Sequence, residues 1–217
     1  MQAPALREGY RLCPRFLSGE ETDRWRRKVS SGREIFHPVG GRGGLNLRYS
    51  VVDGRRTREH FPELVELAHT RLRAAAEEIV GRSLVPILDE KRSIRIQLYR
   101  GRHEGFRWHL DVSSFSALLT LENTSRGATE VISPRLSRLL TPLYYPLYPL
   151  RQLFSVMPRR TIQADPGDLL VLHGGAVLHR ARMLEDRGER LVVVAVFEPA
   201  GSKPTPIRSW LARSFNY

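Results

Sequence analysis

Two kinds of hydrophobic spacing divide the chain. In the first third the spacing is helical. Ser18-Gly-Glu-Glu21 sets a hydroxyl three residues ahead of a carboxylate, a capping-box pattern that predicts a helix over about 19–30. Leu64, Leu67, Leu72, Ala75 and Ile79 roughly follow a helical period between Pro62, suited to a first turn, and Gly81, suited to a stop. That helix should lay its apolar stripe against a sheet. The glycine-rich stretch 32–44 reads as loop.

From about residue 93 the period changes to two. Residues 93–99 alternate apolar and polar and end at Gly101. Residues 106–111, 115–121 and 129–132 read as further short strands. Asp165-Pro-Gly-Asp168 is turn chemistry ahead of the buried-looking Leu169–Leu172, and 176–182 and the almost continuous apolar run 190–197 complete the set. Short strands separated by turns predict a sandwich or barrel in preference to βαβ units. One segment, 135–160, breaks the spacing: it is rich in leucine and tyrosine, and Pro142, Pro146 and Pro149 disfavour a long regular helix while leaving room for short helical turns on either side.

Composition adds bounds. A chain of 217 residues suits a single domain, here an α-rich lead-in (1–92), a β core (93–198) carrying the 135–160 insertion, and a tail (199–217). One cysteine, Cys13, excludes an internal disulfide framework and multi-cysteine zinc sites. No run of about 18 apolar residues exists to span a membrane, and the N-terminus lacks the layout of a secretory signal, so the cytoplasm is the expected location. The net charge of +12 invites a nucleic-acid reading, but all except three of the 35 basic residues are arginines scattered in short clusters such as Arg55-Arg56 and Arg159-Arg160. Nucleic-acid binders concentrate charge on one stripe or tail. The pattern argues against that partner.

The candidate chemistry begins at His109-Leu-Asp111. In a strand, residues two apart share a face, so an imidazole and a carboxylate can converge on one ion. The bland reading is a hydrogen-bonded pair at a strand end. Downstream lie His173, His179 and, heading the last strand, Arg190. Two histidines and one carboxylate form a set that binds iron(II) on one face and leaves the opposite positions open, and arginine is a charged fork suited to a carboxylate.

In order and spacing, His109, Asp111, His179 and Arg190 resemble the 2-oxoglutarate/iron(II) dioxygenase superfamily, and Gln97-Leu-Tyr99-Arg-Gly101 looks like that family's strand ahead of the metal site. The resemblance covers about 93–198. It implies a mainly β fold with N-terminal helices and a double-stranded β-helix core of the jelly-roll, cupin-like kind. It also implies iron(II) held by His109, Asp111 and His179, 2-oxoglutarate as cosubstrate, and dioxygen. His179 stands eleven residues before Arg190, near the family's interval, whereas His173 stands seventeen before it, which makes His173 a pocket residue. Arg190 would pair with the cosubstrate's distal carboxylate, with Tyr99, Gln97 and Thr120 as further cosubstrate candidates. Phe106, Trp108 and Phe115 flank the metal pair, as core or as substrate contacts. Tyr144 and Tyr145 belong to the insertion, read as an apolar lid, as extra core or as a dimer contact. Asp165 and Asp168 read as turn residues. The implied activity is hydroxylation, or another oxidation, of a small hydrophobic or amphiphilic molecule, with specialised metabolism as one setting. Asp111 occupies the position where related halogenases carry a small residue, so hydroxylation leads over halogenation. The alternatives are an oxidative nucleic-acid demethylase and a cupin-like barrel that binds metal or ligand without turnover.

Overall fold

The computed structural model describes residues 6–40, 48–144 and 154–202. In chain order, β1 (Tyr10–Cys13), α1 (Gly19–Ser31), β2 (His37–Gly40), β3 (Arg48–Val52), α2 (Gly54–His60), α3 (Pro62–Leu67), a π turn (Ala68–Leu72), α4 (Arg73–Val80) and β4 (Leu84–Pro86) come first. They are followed by β5 (Ile94–Arg100), β6 (Phe115–Asn123), β7 (Ala128–Ile132), α5 (Pro134–Tyr144), β8 (Arg159–Gln163), β9 (Leu169–Leu172), β10 (His179–Ala181) and β11 (Glu189–Pro199).

The helices form where their ends are signposted. Ser18 Oγ accepts from the Glu21 amide and Glu21 Oε2 accepts from the Ser18 amide, closing the capping box that starts α1. Pro62 opens α3, and Gly81, with a φ of 73°, takes the left-handed conformation that stops α4. Between them the π turn widens the helix. The buried positions run Leu64, Ala68, Leu72, Ala76 and Val80, every fourth residue, and Ala75 and Ile79 pack at the edge of the same core. An ordinary helix would rotate such a repeat off the sheet, and the wider turn absorbs that drift.

The strands form an antiparallel eight-stranded sheet in the order β1-β9-β6-β11-β5-β3-β2, with β4 pairing to the end of β11, and a three-stranded sheet in the order β10-β7-β8. On the outer face of the large sheet, Ile94, Ile96 and Leu98 of β5, Ala117, Leu119 and Leu121 of β6, and Leu191, Val193, Ala195 and Phe197 of β11 share one core with Trp25, Val29 and the α3–α4 stripe. On the inner face, Val131 and Ile162 of the small sheet pack against Leu170 and Leu172 of β9. Val192, Val194 and Val196 on the inner face of β11 are buried as well, so this strand is covered on both sides, which explains its unbroken apolar run.

Four expectations need correction. The 32–44 stretch is not all loop, because β2 lies within it and pairs with β3; 41–47 lie outside the described residues. Helix α2 was not expected either; Asp53 caps it, and a Cβ at Gly54 would stand 2.0 Å from the Glu90 carbonyl oxygen, so only glycine fits there. Residues 106–111 are not a regular strand. Their backbone amides are shared out, Phe106 to Ala181, His109 to His179 and Asp111 to Gly174, leaving only isolated bridges. In the insertion, α5 runs 11 residues through Pro142 as far as Tyr144, where this stretch of described residues ends, and β8 adds an unpredicted strand. Residues 145–153 of the insertion and 203–217 of the tail lie outside the described residues.

Candidate metal centre and its cavity

Two distant pieces of chain are stitched together at the centre of the site. His109 and His179 exchange both backbone hydrogen bonds, at 2.9 and 3.0 Å, which sets their rings side by side with centroids 4.1 Å apart. Each ring is then fixed by its own backbone. Nδ1 of His109 donates to the Arg107 carbonyl at 2.8 Å, and Nδ1 of His179 donates to the Val177 carbonyl at 2.9 Å. A carbonyl can only accept, so both Nδ1 atoms carry hydrogen and both Nε2 atoms face the other way. They face Asp111, whose Oδ1 lies 3.3 Å from His109 Nε2 and whose Oδ2 lies 3.5 Å from His179 Nε2. Ser116 Oγ donates to Asp111 Oδ2 at 2.5 Å and holds that carboxylate in place. Gly174 gives it room, since a Cβ there would stand 2.1 Å from Oδ2.

This geometry asks for a positive charge. Two neutral imidazole lone pairs aimed at a buried carboxylate repel it unless a proton or a cation lies between them. Burial opposes charge on His179, yet the Asp111 carboxylate lifts its imidazole above the ordinary value; burial and the charge of His179 hold His109 below it. Burial pushes the Asp111 carboxyl up, but His179 and His109 outweigh it and hold it well below the usual carboxylate range. One ligand atom from each of the three residues falls within 4.8 Å of the others. Two imidazole nitrogens and one carboxylate oxygen so arranged fit a single first-row divalent ion bound on one face.

A cavity opens from these residues, lined on the sheet side by Gln97, Tyr99, Arg190 and Val192. Arg190 is only 3% exposed. Its Nη1 and Nη2 donate to the Ala128 carbonyl and Thr129 Oγ1 at 3.1 and 2.9 Å, and its Nε has no hydrogen-bond partner. No carboxylate of the described residues pairs with it. Burial lowers its pKa and the Tyr99 ring, 5.9 Å from its Cζ, opposes the shift. A buried guanidinium short of an acceptor fits an incoming carboxylate, such as the distal one of 2-oxoglutarate. Gly127 makes space for the Arg190 stem, whose Cδ a Cβ there would meet at 2.7 Å. Tyr99 donates to Gln97 Oε1 at 3.0 Å, and burial pushes its phenol above the ordinary value.

The other sequence candidates divide. Phe106 lines the cavity with its ring 4.4 Å from His109. Thr120 does not; it is buried, and its backbone bonds Asp168 and Gly167. The threonine that does line the cavity is Thr129, on β7. Trp108 is core, its indole donating to Ser155 Oγ, and Tyr144 packs beside it with Leu140 and Phe154. The described part of the insertion is thus extra core on one side, with Leu139 and Leu143 exposed on the other. Phe115 and His173 stack at 4.6 Å, away from the cavity, and His173 is not one of the three convergent ligands. Tyr145 lies outside the described residues. Asp168 is a turn residue, its carboxylate accepting from the Arg15 and Asp165 amides. Sequence reasoning also missed Ser116 and the pair Arg180–Glu130, whose Nε and Oε2 stand 2.6 Å apart. It missed Arg95 as well, although period-two alternation puts that residue on the face of Gln97 and Tyr99.

Mainly β, with two antiparallel sheets around the triad and helices on the outer face of the larger one, the chain has the double-stranded β-helix fold. The particular structures it resembles include the non-heme alpha ketoglutarate dependent carbocyclase SnoK from nogalamycin biosynthesis, at 19% identity, 97% of this chain and 88% of that one, with a TM-score of 0.70. HygX from Streptomyces hygroscopicus, solved with nickel and 2-oxoglutarate bound, is similar at 14% identity, 91% and 85% coverage and a TM-score of 0.66. EctD from S. alaskensis, solved with 2-oxoglutarate and 5-hydroxyectoine, is similar at 16% identity, 94% and 77% coverage and a TM-score of 0.64. No protein-family model matches the sequence, and no curated protein matches it. Among the described residues no helix is long and apolar enough to cross a membrane.

Proposed function

We propose that this protein is a 2-oxoglutarate- and iron(II)-dependent oxygenase that hydroxylates, or otherwise oxidises, a small molecule in the cytoplasm, working as one domain. The observation that carries the proposal is that one cavity is lined both by the His109–Asp111–His179 triad and by the under-satisfied Arg190. Iron(II) and 2-oxoglutarate, when bound, supply the oxidising chemistry by coupling dioxygen to decarboxylation of the cosubstrate to succinate. His109, Asp111 and His179 would hold the metal. Arg190, with Thr129 beside it, would fix the direction of the cosubstrate's distal carboxylate, and Tyr99 and Gln97 close the same wall. Phe106, Leu118, Val192 and Val194 line the cavity and exclude water from the reacting centre.

Among the similar folds are SnoK, from nogalamycin biosynthesis, and HygX, solved also with hygromycin B bound. That supports a small molecule as substrate.

The test is an anaerobic titration with iron(II) and 2-oxoglutarate, followed by admission of air. A visible charge-transfer band and then succinate are expected. Iron binding should be lost in His179→Ala and kept in His173→Ala. Neither band nor succinate from folded, iron-loaded protein would leave a barrel that binds metal without turnover.

A further inference from the structure

Asp111 offers the ion two oxygens, and the distances to the histidines do not choose between them. Oδ1 stands 3.3 Å from His109 Nε2, and Oδ2 stands 3.5 Å from His179 Nε2. The choice matters. Two imidazoles and one oxygen leave a whole face of the ion open, and a second Asp111 oxygen would intrude on it. That consequence rests on the oxygenase reading.

The surroundings of the two oxygens differ. Oδ2 accepts a short hydrogen bond, 2.5 Å, from Ser116 Oγ. The hydroxyl proton takes one lone pair and draws charge from that oxygen, which leaves Oδ1 the stronger donor to a cation. The backbone of Gly174 closes in on the same oxygen, since a Cβ added there would stand 2.1 Å from Oδ2 and 2.8 Å from Cγ. Gly174 is itself held in place, its carbonyl accepting from the Asp111 amide at 2.9 Å. Both neighbours press on Oδ2, and the imidazole of His109 faces Oδ1.

Ser116 is suited to the task by its place in the sheet. It stands on β6 in register between Leu172 of β9 and Val196 of β11, and it is 2% exposed. With Leu118, two residues on, it lines the cavity. A hydroxyl buried so deeply costs free energy unless it is hydrogen-bonded, and Asp111 supplies the acceptor. Asp111 itself lies in the irregular 106–111 stretch, held by isolated bridges and loop contacts. A ligand on such a stretch gains precision from a partner on a strand.

We infer that Ser116 is a positioning residue that commits Asp111 to bind the ion through Oδ1 alone.

The experiment compares Ser116→Ala, Ser116→Val and Ser116→Thr with the wild type, the last keeping the hydroxyl in a side chain shaped like the one before it. Anaerobic calorimetric titration with iron(II) reads the affinity. Ser116→Ala and Ser116→Val should bind about 10–100-fold more weakly, the scale of partners that orient a ligand, while Ser116→Thr stays close to wild type. Infrared difference spectra, iron(II)-loaded minus metal-free, read the carboxylate. Binding through one oxygen makes the two C–O bonds unequal and spreads the symmetric and antisymmetric stretches; binding through both draws them together. The wild type should show the wide pair, and the pair should narrow in Ser116→Ala and Ser116→Val. A hydroxyl that merely stabilised the fold would leave both readouts unmoved. A narrow pair in the wild type, an affinity that does not fall or a pair that does not narrow in Ser116→Ala, or a Ser116→Thr affinity as weak as that of Ser116→Val overturns the inference while leaving the oxygenase reading intact. Failure of the wild type to bind iron(II) defeats the oxygenase reading instead, and with it this one.

Discussion

The two faces of β5 obey opposite rules. Ile94, Ile96 and Leu98 turn outward to the helices, fully buried, with no polar atom to satisfy. Arg95, Gln97 and Tyr99 turn inward to the cavity, one residue out of step. β11 repeats the division, with Leu191, Val193 and Ala195 outward and Arg190 inward. Burying the outer set stabilises the fold by roughly 25 cal/mol per Å² of apolar surface. Burying Arg190 without a carboxylate costs free energy. Stability and chemistry are thus carried by the same strands but by different residues, and substitutions on the two faces should separate them.

The largest effect belongs inside. His179→Ala removes one of three convergent ligands and leaves Asp111 facing a single imidazole. Partners that merely orient a ligand are worth about 10–100-fold in metal affinity, so loss of the ligand itself should weaken iron(II) binding by more than that and abolish turnover. Isothermal titration with iron(II) checks the binding, and succinate release checks the turnover.

The mirror experiment is Ile96→Ala, on the outer face of the same strand. Ile96 is fully buried between β5 and the helices. Truncation should cost about 2–5 kcal/mol in urea unfolding while the iron affinity of the folded fraction stays unchanged. A weaker iron site would mean that packing on the outer face sets the position of the ligands.

Arg190→Met should move the two properties in opposite directions. It deletes a buried charge that has no carboxylate, so the protein without cosubstrate should be no less stable and up to about 1–2 kcal/mol more stable. Affinity for 2-oxoglutarate should fall about 10–100-fold, the scale of a charge-assisted hydrogen bond. Stability and affinity falling together would mean that Arg190 is a structural tie to Ala128 and Thr129.

Much of this division was legible in the sequence. Period two along 93–99 gives both faces of β5, and the His109, Asp111, His179 and Arg190 spacing gives the candidate ligands and the fork. What was not legible depends on contacts made far along the chain. Ser116 reaches Asp111 because the turn between them folds back. Thr129 enters the cavity, and Thr120 does not, because β7 belongs to the small sheet across from β11 while β6 turns Thr120 toward the Asp168 corner. Residues 106–111 look like a strand by alternation, but their partners are split between β10 and the Gly174 loop. Arg95 is placed on the inner face by alternation alone, but arginine is so common in this chain that one more carries no signal.

The smallest effect concerns the inner-face charge that does have a partner. Arg180 lines the cavity as Arg190 does, but Glu130 holds it at 2.6 Å and also pairs with Arg159 at 3.1 Å. Burial raises the Glu130 carboxyl, yet the two guanidiniums together bring it below its ordinary value of 4.5. A carboxyl lowered in the folded state contributes stability that is complete above the unfolded value and disappears as pH falls through the folded one. The stability difference between wild type and Glu130→Gln should therefore be constant from pH 7 down to about 5. Below about 4.5 it should shrink, by no more than about 1.4 kcal/mol per pH unit, because one proton is involved. Urea unfolding of both proteins at a series of pH values gives that difference with the other carboxylates subtracted. A difference that stays flat to pH 3 would mean Arg180 is positioned by Ser155 and the Trp108 ring without help from the Glu130 charge.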